Sequence, residues 1–153
     1  MSLNALVSRI LHKYVQWDVP TGKYGFVLLS RDVYKALTEA LDEGLLQEKV
    51  EKAGRQLREC LLFMYKRADQ ATLMNYVEDM ARYSGLGSVE VWPRKSETSL
   101  LFHHDLGRRH SLILNGVLKS AIKEITCFDP VSEITDNSIF FHLNHIDTQL
   151  GSI

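Results

Sequence analysis

Apolar residues recur every three or four positions through the first 84 residues, which is the spacing of one face of an α-helix. Residues 17–22 contain Pro20 and Gly22, so we expect a loop there that ends the first helix. That helix is predicted over residues 3–15 from these apolar positions: Leu3, Leu6, Val7, Ile10, Leu11, Tyr14 and Val15.

The same spacing predicts three more helices in this half of the chain, over residues 31–43, 46–64 and 70–84. Ser30 and Asp69 are placed to cap the first and the last of them. The short apolar run at residues 26–29 is β-prone and predicts a buried strand or extended segment. The alternating charges of the middle helix indicate a solvated face. Glycines are interpreted as helix ends or breaks at Gly44, Gly54, Gly85 and Gly87.

After Gly87 the apolar period changes to two, which is typical of strands with one buried face. Strands are predicted over residues 88–92, 98–104, 126–134 and 138–143, with an amphipathic helix over residues 111–125. The two hairpin turns are assigned to residues 93–97 and to Asp136–Asn137.

These elements predict an α+β fold in a single domain, residues 1–153. It consists of a mainly helical half with one short strand, residues 1–86, a ββαββ half, residues 87–144, and a tail, residues 145–153. The sheet is expected to be antiparallel or mixed, with the helix of residues 111–125 on one face.

Both faces of the predicted sheet carry large apolar side chains. Leu100 and Phe102 point to the helix side, whereas Trp92, Leu101 and Phe140 fall on the opposite side. Because soluble monomers rarely expose such a patch, we expect the N-terminal helices to cover it, with an additional contact to a second copy of the chain.

A cluster of polar residues follows the second strand, where Asp105 or Gly107 is placed to begin the helix. In one interpretation, free N–H groups of the first helical turn and the guanidinium groups of Arg108 and Arg109 bind a small anion, with Ser111 supplying a hydroxyl. In the other, the arginines pair with acidic residues of the N-terminal half or of a second subunit.

The histidines of this region also allow two interpretations. His104 shares the face of Phe102, which favours a hydrogen-bonded core histidine that holds the turn. His103 and Asp105 are expected to orient each other. The alternative is a metal-assisted hydrolase or transferase with ligands drawn from His103, Asp105, His110 and His142.

Composition excludes several classes of protein. The chain has 153 residues, 45% of them hydrophobic and 24% charged, which suits one well-buried globular domain. Its formal net charge of −1 argues against nucleic-acid binding through this chain alone. Cys60 and Cys127 lack paired spacing, and no apolar run is long enough to cross a bilayer, so we expect a cytoplasmic protein.

The run HDLGRRHS at residues 104–111, followed by the amphipathic helix and the hairpin segment at residues 133–138, resembles a domain of uncharacterised, largely archaeal prokaryotic proteins. Members read H-x-L-G-x-[K/R]-W-S there and sometimes carry a DNA-binding segment upstream. His110 stands where that pattern has tryptophan. The matching positions are His104, Gly107, Arg109 and Ser111.

By element order the chain is also similar to the four-vinyl-reductase and haem-nitric-oxide-binding group of ligand-sensing folds. The start Met-Ser-Leu-Asn resembles an expression leader, so the chain is expected to be either free-standing or a piece of a longer regulator.

These observations predict a non-enzymatic regulatory or ligand-binding domain, homodimeric and part of a transcriptional regulator, that receives a small anion at residues 107–111. The ligand and any cofactor are unknown. Two alternatives stay open: the metal-dependent enzyme described above, and a scaffold for self-association or for docking a partner.

Overall fold

A computed structural model of the chain describes residues 1–94 and 97–144, and it has the predicted α+β fold. The predicted tail, residues 145–153, and two residues of the first hairpin loop lie outside the described residues. The helices are α1 (Leu3–Lys13), a π-helical turn (Tyr14–Asp18), α2 (Val19–Tyr24), α3 (Arg31–Glu39), α4 (Glu43–Tyr65), α5 (Gln70–Ser84) and α6 (Arg108–Thr126). The strands are β1 (Ser88–Pro93), β2 (Glu97–His103), β3 (Val131–Ile134) and β4 (Ser138–Asn144).

The four strands form an antiparallel sheet in the order β1-β2-β4-β3. Both predicted hairpins are present, and β2 and β4 pair at the centre with Phe102 opposite Ile139. The third strand begins at Val131 rather than at residue 126, because α6 continues to Thr126 and Cys127 ends it in a left-handed conformation.

One face of the sheet packs against α5 and α6, and α4 joins the same core. Leu61, Leu73, Phe102 and Phe141 are all fully buried, and they bring together side chains from α4, α5 and both central strands. The C-terminal ββαββ unit and the helical half therefore share one hydrophobic core.

The two helices α4 and α6 approach closely through one glycine on each. A Cβ atom at Gly54 would lie 2.4 Å from the Cβ atom of Ser120, and one at Gly116 would lie 2.5 Å from a methyl group of Val50. The Ser120 hydroxyl donates a hydrogen bond to the Glu51 carbonyl oxygen at 3.0 Å. Gly54 therefore lies inside a continuous helix at a close helix contact, and the predicted break is wrong.

The first helix does not end in the predicted loop. It passes through the π-helical turn, in which the Val19 N–H bonds to the Tyr14 carbonyl, and continues as α2. This widened turn lets the chain accommodate Pro20, which occupies the first turn of α2 and needs no N–H partner there. Trp17 is buried on the body of the protein, against Tyr76 and Tyr83.

Residues 26–29 do not form the predicted buried strand. They have no regular secondary structure, and Leu28 is 96% exposed. Ser30 does cap α3, since its hydroxyl accepts a hydrogen bond from the Val33 N–H. The predicted end at Gly44 is wrong, because Asp42 caps α4 and places that glycine in the first turn of α4.

The helical half does not cover the second face of the sheet as expected. The contacts of α1, α2 and α3 are with other helices, and Trp92 remains 41% exposed. On this face Trp92 packs near Phe140, with ring centroids 6.4 Å apart. Within residues 1–94 and 97–144 the predicted intrachain cover is therefore wrong.

The longest of these helices is α4, with 23 residues, and it carries the charged face that the sequence predicts to be solvated. Lys49 and Glu48 form an ion pair on that exposed face. Neither α4 nor any other helix in the described part of the chain combines the length and the apolar character needed to cross a membrane.

Replacing Gly54 with alanine should destabilise the protein by about 1–3 kcal/mol, because the added methyl group has no room between α4 and α6. The matched control is Gly22→Ala in α2, where no atom lies within 4 Å of an added Cβ. There the higher helix propensity of alanine should stabilise by up to about 1 kcal/mol. Urea unfolding at one protein concentration measures both. Equal effects of the two substitutions would contradict the close helix contact.

Candidate functional site

The turn from β2 into α6 is the place where the sequence concentrates its candidate residues. β2 ends at His103, and the His104 N–H then donates to the Asn137 carbonyl oxygen at 2.9 Å. Gly107 begins α6 with φ 82°, a left-handed value that favours glycine. The predicted chain reversal at Gly107 is confirmed.

His104 is the hydrogen-bonded core histidine that its strand face predicts. It is buried, and its Nδ1 atom accepts a hydrogen bond from the Leu106 N–H at 3.2 Å. A ring nitrogen that accepts is unprotonated, so in the neutral imidazole the proton is on Nε2. Nε2 then donates to the Ser111 hydroxyl at 2.8 Å. These bonds fix both the turn and the start of α6.

The same hydrogen bonds determine what His104 and Ser111 can do chemically. A histidine that activates a serine nucleophile must offer an unprotonated nitrogen to the hydroxyl. Here Nε2 carries the proton and donates, and Ser111 is fully buried. The pair is therefore arranged as a structural tie rather than as a nucleophile and its base.

His110 is buried beneath α3, although its position in the sequence placed it in a basic helical turn. It is 2% exposed, and its Nδ1 atom lies 2.8 Å from the hydroxyl of Tyr34. The imidazole also meets the ring of His104 edge to face at 4.6 Å. Among the described residues, no group bonds to its Nε2 atom.

Burial lowers the pKa of His110 to about 4, with a smaller contribution from the nearby charge of His104. Burial likewise lowers the pKa of His104, and His103 adds to the effect. Both imidazoles are therefore neutral at pH 7, so His110 does not oppose the helix dipole at the start of α6 as the sequence suggested.

The charged side chains around the turn form ion pairs. Arg108 is exposed and lies 3.6 Å from the Asp136 carboxylate in the turn between β3 and β4. Asp105 pairs with Arg31 of α3. The expected orienting pair of His103 and Asp105 is therefore wrong. Arg108 does form an ion pair, but its partner Asp136 belongs to the C-terminal half of the chain and not to the predicted N-terminal half.

The structure brings together only part of the predicted anion site. His104, Gly107 and Ser111 meet at the start of α6, but His104 and Ser111 use their polar atoms on each other. Arg108 points to the surface, and Arg109 is half-buried. Anion binding by these residues stays a prediction.

The residues proposed as alternative metal ligands do not come together as a metal site requires. His103 is exposed and His110 is buried under Tyr34. Within residues 1–94 and 97–144, no group of three or more His, Cys, Asp or Glu side chains is placed to hold a metal ion.

Sequence reasoning missed the contribution of α3 to this site. Arg31, Tyr34 and Thr38 lie on one face of α3; Tyr34 reaches His110, Arg31 reaches Asp105, and Thr38 is buried. The apolar face, with Val33 and Leu37, is about half exposed. The three-to-four spacing of Arg31, Tyr34 and Thr38 indicates that they share one face of α3. The sequence prediction used only the apolar spacing of this helix, which lies on another face.

Comparison with known proteins gives no match, either to a protein-family model or to a curated protein sequence.

Replacing Tyr34 with phenylalanine should cost about 1–3 kcal/mol, because it removes the partner of a buried imidazole nitrogen. The control is Tyr83→Phe, at a half-buried tyrosine of α5 that packs against Trp17, which should change the stability by less than about 0.5 kcal/mol because the ring is retained. Urea unfolding near pH 7.5 compares the two variants. A loss no larger than that of the control would show that the bond between Tyr34 and His110 does not stabilise the fold.

Stability should fall as the pH falls from about 6.5 to 4. His110 has a folded pKa of about 4, below the ordinary value of 6.5, so the unfolded chain binds its proton first. The contribution of neutral His110 to the free energy of unfolding is complete above pH 6.5, and about 3 kcal/mol of it is lost by pH 4. The variant His110→Phe should show a shallower dependence in urea unfolding at successive pH values, and an unchanged slope would refute the assignment.

Proposed function

We propose that the chain is a cytoplasmic, non-enzymatic regulatory domain that works as a homodimer, and that α1 forms the contact between the two copies. The observation that carries this proposal is the apolar face of α1. None of the α1 side chains is buried in the single chain, although the helix is strongly amphipathic.

The size of this face supports a specific contact. The seven apolar residues predicted for the first helix together expose on the order of 800 Å², which is what each partner contributes to a standard protein interface. Leu3 alone is 73% exposed. Exposed apolar area on this scale is uncommon in monomers.

The pattern of α1 favours a second copy as the partner. If two helices meet antiparallel about a two-fold axis between Ile10 and Leu11, six of the seven apolar positions face one another: Leu6 meets Val15, Val7 meets Tyr14 and Ile10 meets Leu11. Such a face is self-complementary, as an interface with two-fold symmetry requires.

The apolar face of α3 supports the same proposal. Because Tyr34 and Thr38 turn inwards, Val33 and Leu37 turn outwards from the body. The segment at residues 26–29 between α2 and α3 is exposed as well. Unpartnered apolar surface is therefore a property of most of residues 1–41, and a second copy could cover more than α1.

A dimer also fits the proposal that the chain is part of a transcriptional regulator. Two copies related by a two-fold axis would hold two attached DNA-binding segments at a fixed distance, which suits palindromic sites. Support for such a segment comes only from the resemblance of residues 104–111. The neutral, hydrogen-bonded arrangement of His104, His110 and Ser111 supports a structural role for the site rather than catalysis.

Replacing Ile10 with glutamate should convert the dimer to a monomer, because it puts a charge in the centre of the apolar face. Sedimentation equilibrium should give about half the mass of the wild-type protein, with the circular dichroism spectrum retained. The matched control is His12→Glu, which makes the same change of charge on the opposite side of α1 and should leave the dimer intact. A wild-type protein that stays monomeric at high concentration would contradict the proposal.

A further inference from the structure

A cavity of about 310 Å³ lies between α4, α5 and α6, away from the turn at Gly107. Leu57 of α4, Tyr76 of α5, and Leu114 and Leu118 of α6 form its walls, and Phe26 lies at its edge. Its volume is near the lower end of the range for small-molecule sites, roughly 300–1,000 Å³.

The chemistry of the walls restricts what can enter. The side chains that line the cavity are aliphatic, aromatic or neutral polar, and within the described part of the chain none of them is charged. Cys60 also faces it, and burial raises the pKa of this thiol to about 11, so the thiol stays protonated. An ion would lose its hydration here without a compensating charge.

The hydroxyl of Tyr76 is the polar group of the walls that matters most for a ligand. Tyr76 is 6% exposed, and its ring packs against Trp17 with centroids 6.0 Å apart. Its hydroxyl forms no hydrogen bond with the residues that the structure describes. Burial raises the pKa of Tyr76, so the hydroxyl keeps its proton and can donate it. The hydroxyl is open to solvent, since it is not among the buried polar atoms that lack a partner, and a ligand oxygen can accept its hydrogen bond in place of water.

The end of α2 and the residue Phe26 contribute to one side of the cavity. Tyr24 lies at the end of α2, and its hydroxyl donates to the Gln56 carbonyl oxygen of α4 at 3.3 Å. Gly25 follows with φ 97°, and from Phe26 the chain has no regular structure. The cavity is open to solvent, so a small molecule can enter it without separation of α4 from α6.

We propose that this cavity binds a small, uncharged and largely apolar molecule, and that the Tyr76 hydroxyl donates a hydrogen bond to a carbonyl or ether oxygen of that molecule. This site lies on α4, α5 and α6, whereas the proposed dimer contact lies on α1. The ligand site therefore does not depend on the proposed dimer.

Two probes of nearly equal shape test the site: acetophenone, which has an acceptor oxygen, and ethylbenzene, which has none. Titrations followed by amide ¹H–¹⁵N spectra should show both probes shifting residues around Leu57 and Leu118. Tyr76→Phe should weaken acetophenone binding about fivefold, the effect of one neutral hydrogen bond, and leave ethylbenzene binding unchanged. Equal weakening of both probes would overturn the role of the hydroxyl.

A second variant tests the location of the site. Ala53 lines the cavity from α4, so Ala53→Phe should fill it and abolish binding of both probes. The control is Ala71→Phe, at an exposed position of α5, which should leave binding unchanged. Circular dichroism checks that both variants fold.

The variant Ile10→Glu separates this inference from the proposed dimer, and it should bind both probes as the wild-type protein does. Loss of binding in that variant would place the probes at the apolar face of α1 and overturn the assignment to the cavity. A monomeric wild-type protein that binds the probes at the cavity would contradict only the dimer.

Discussion

The close contact of α4 with α6 is the constraint on which the rest of the structure depends. Gly54 and Gly116 remove the side chains that would hold the helices apart, and α6 then lies between α4 and the sheet. The start of α6 carries His110 and Ser111, so the same contact determines where the candidate site lies. It also sets the width of the cavity between α4, α5 and α6.

Features that depend on a few neighbouring residues could be predicted from the sequence. The turn at Gly107, the two hairpins and the caps Ser30 and Asp69 each follow from local backbone chemistry. The burial of His104 followed from its strand alternation with Phe102, because a sheet with one packed face fixes the direction of every second side chain. These features need no knowledge of what the element contacts.

The errors arise where a distant partner decides the outcome. From the sequence alone, Gly54 can be interpreted as a helix break. Only the position of Ser120 shows that this glycine permits the close contact of α4 with α6. The orientation of α3 is decided by Tyr34 and His110, which are 76 residues apart, and it opposes the apolar pattern of the helix. Periodicity states which face is apolar, but it does not state whether that face meets the chain's own core.

The π-helical turn at Tyr14–Asp18 has a geometric consequence for the N-terminal half. In a π-helical turn each N–H bonds to the carbonyl five residues earlier, so each residue rotates the chain by a smaller angle than in an α-helix. Over five residues the difference adds up to roughly a quarter of a turn. Trp17 and Thr21, which are buried against the body of the protein, therefore need not lie on the same side of the helix as the exposed apolar residues of α1. The π-helical turn therefore acts as a rotational offset between α1 and α2.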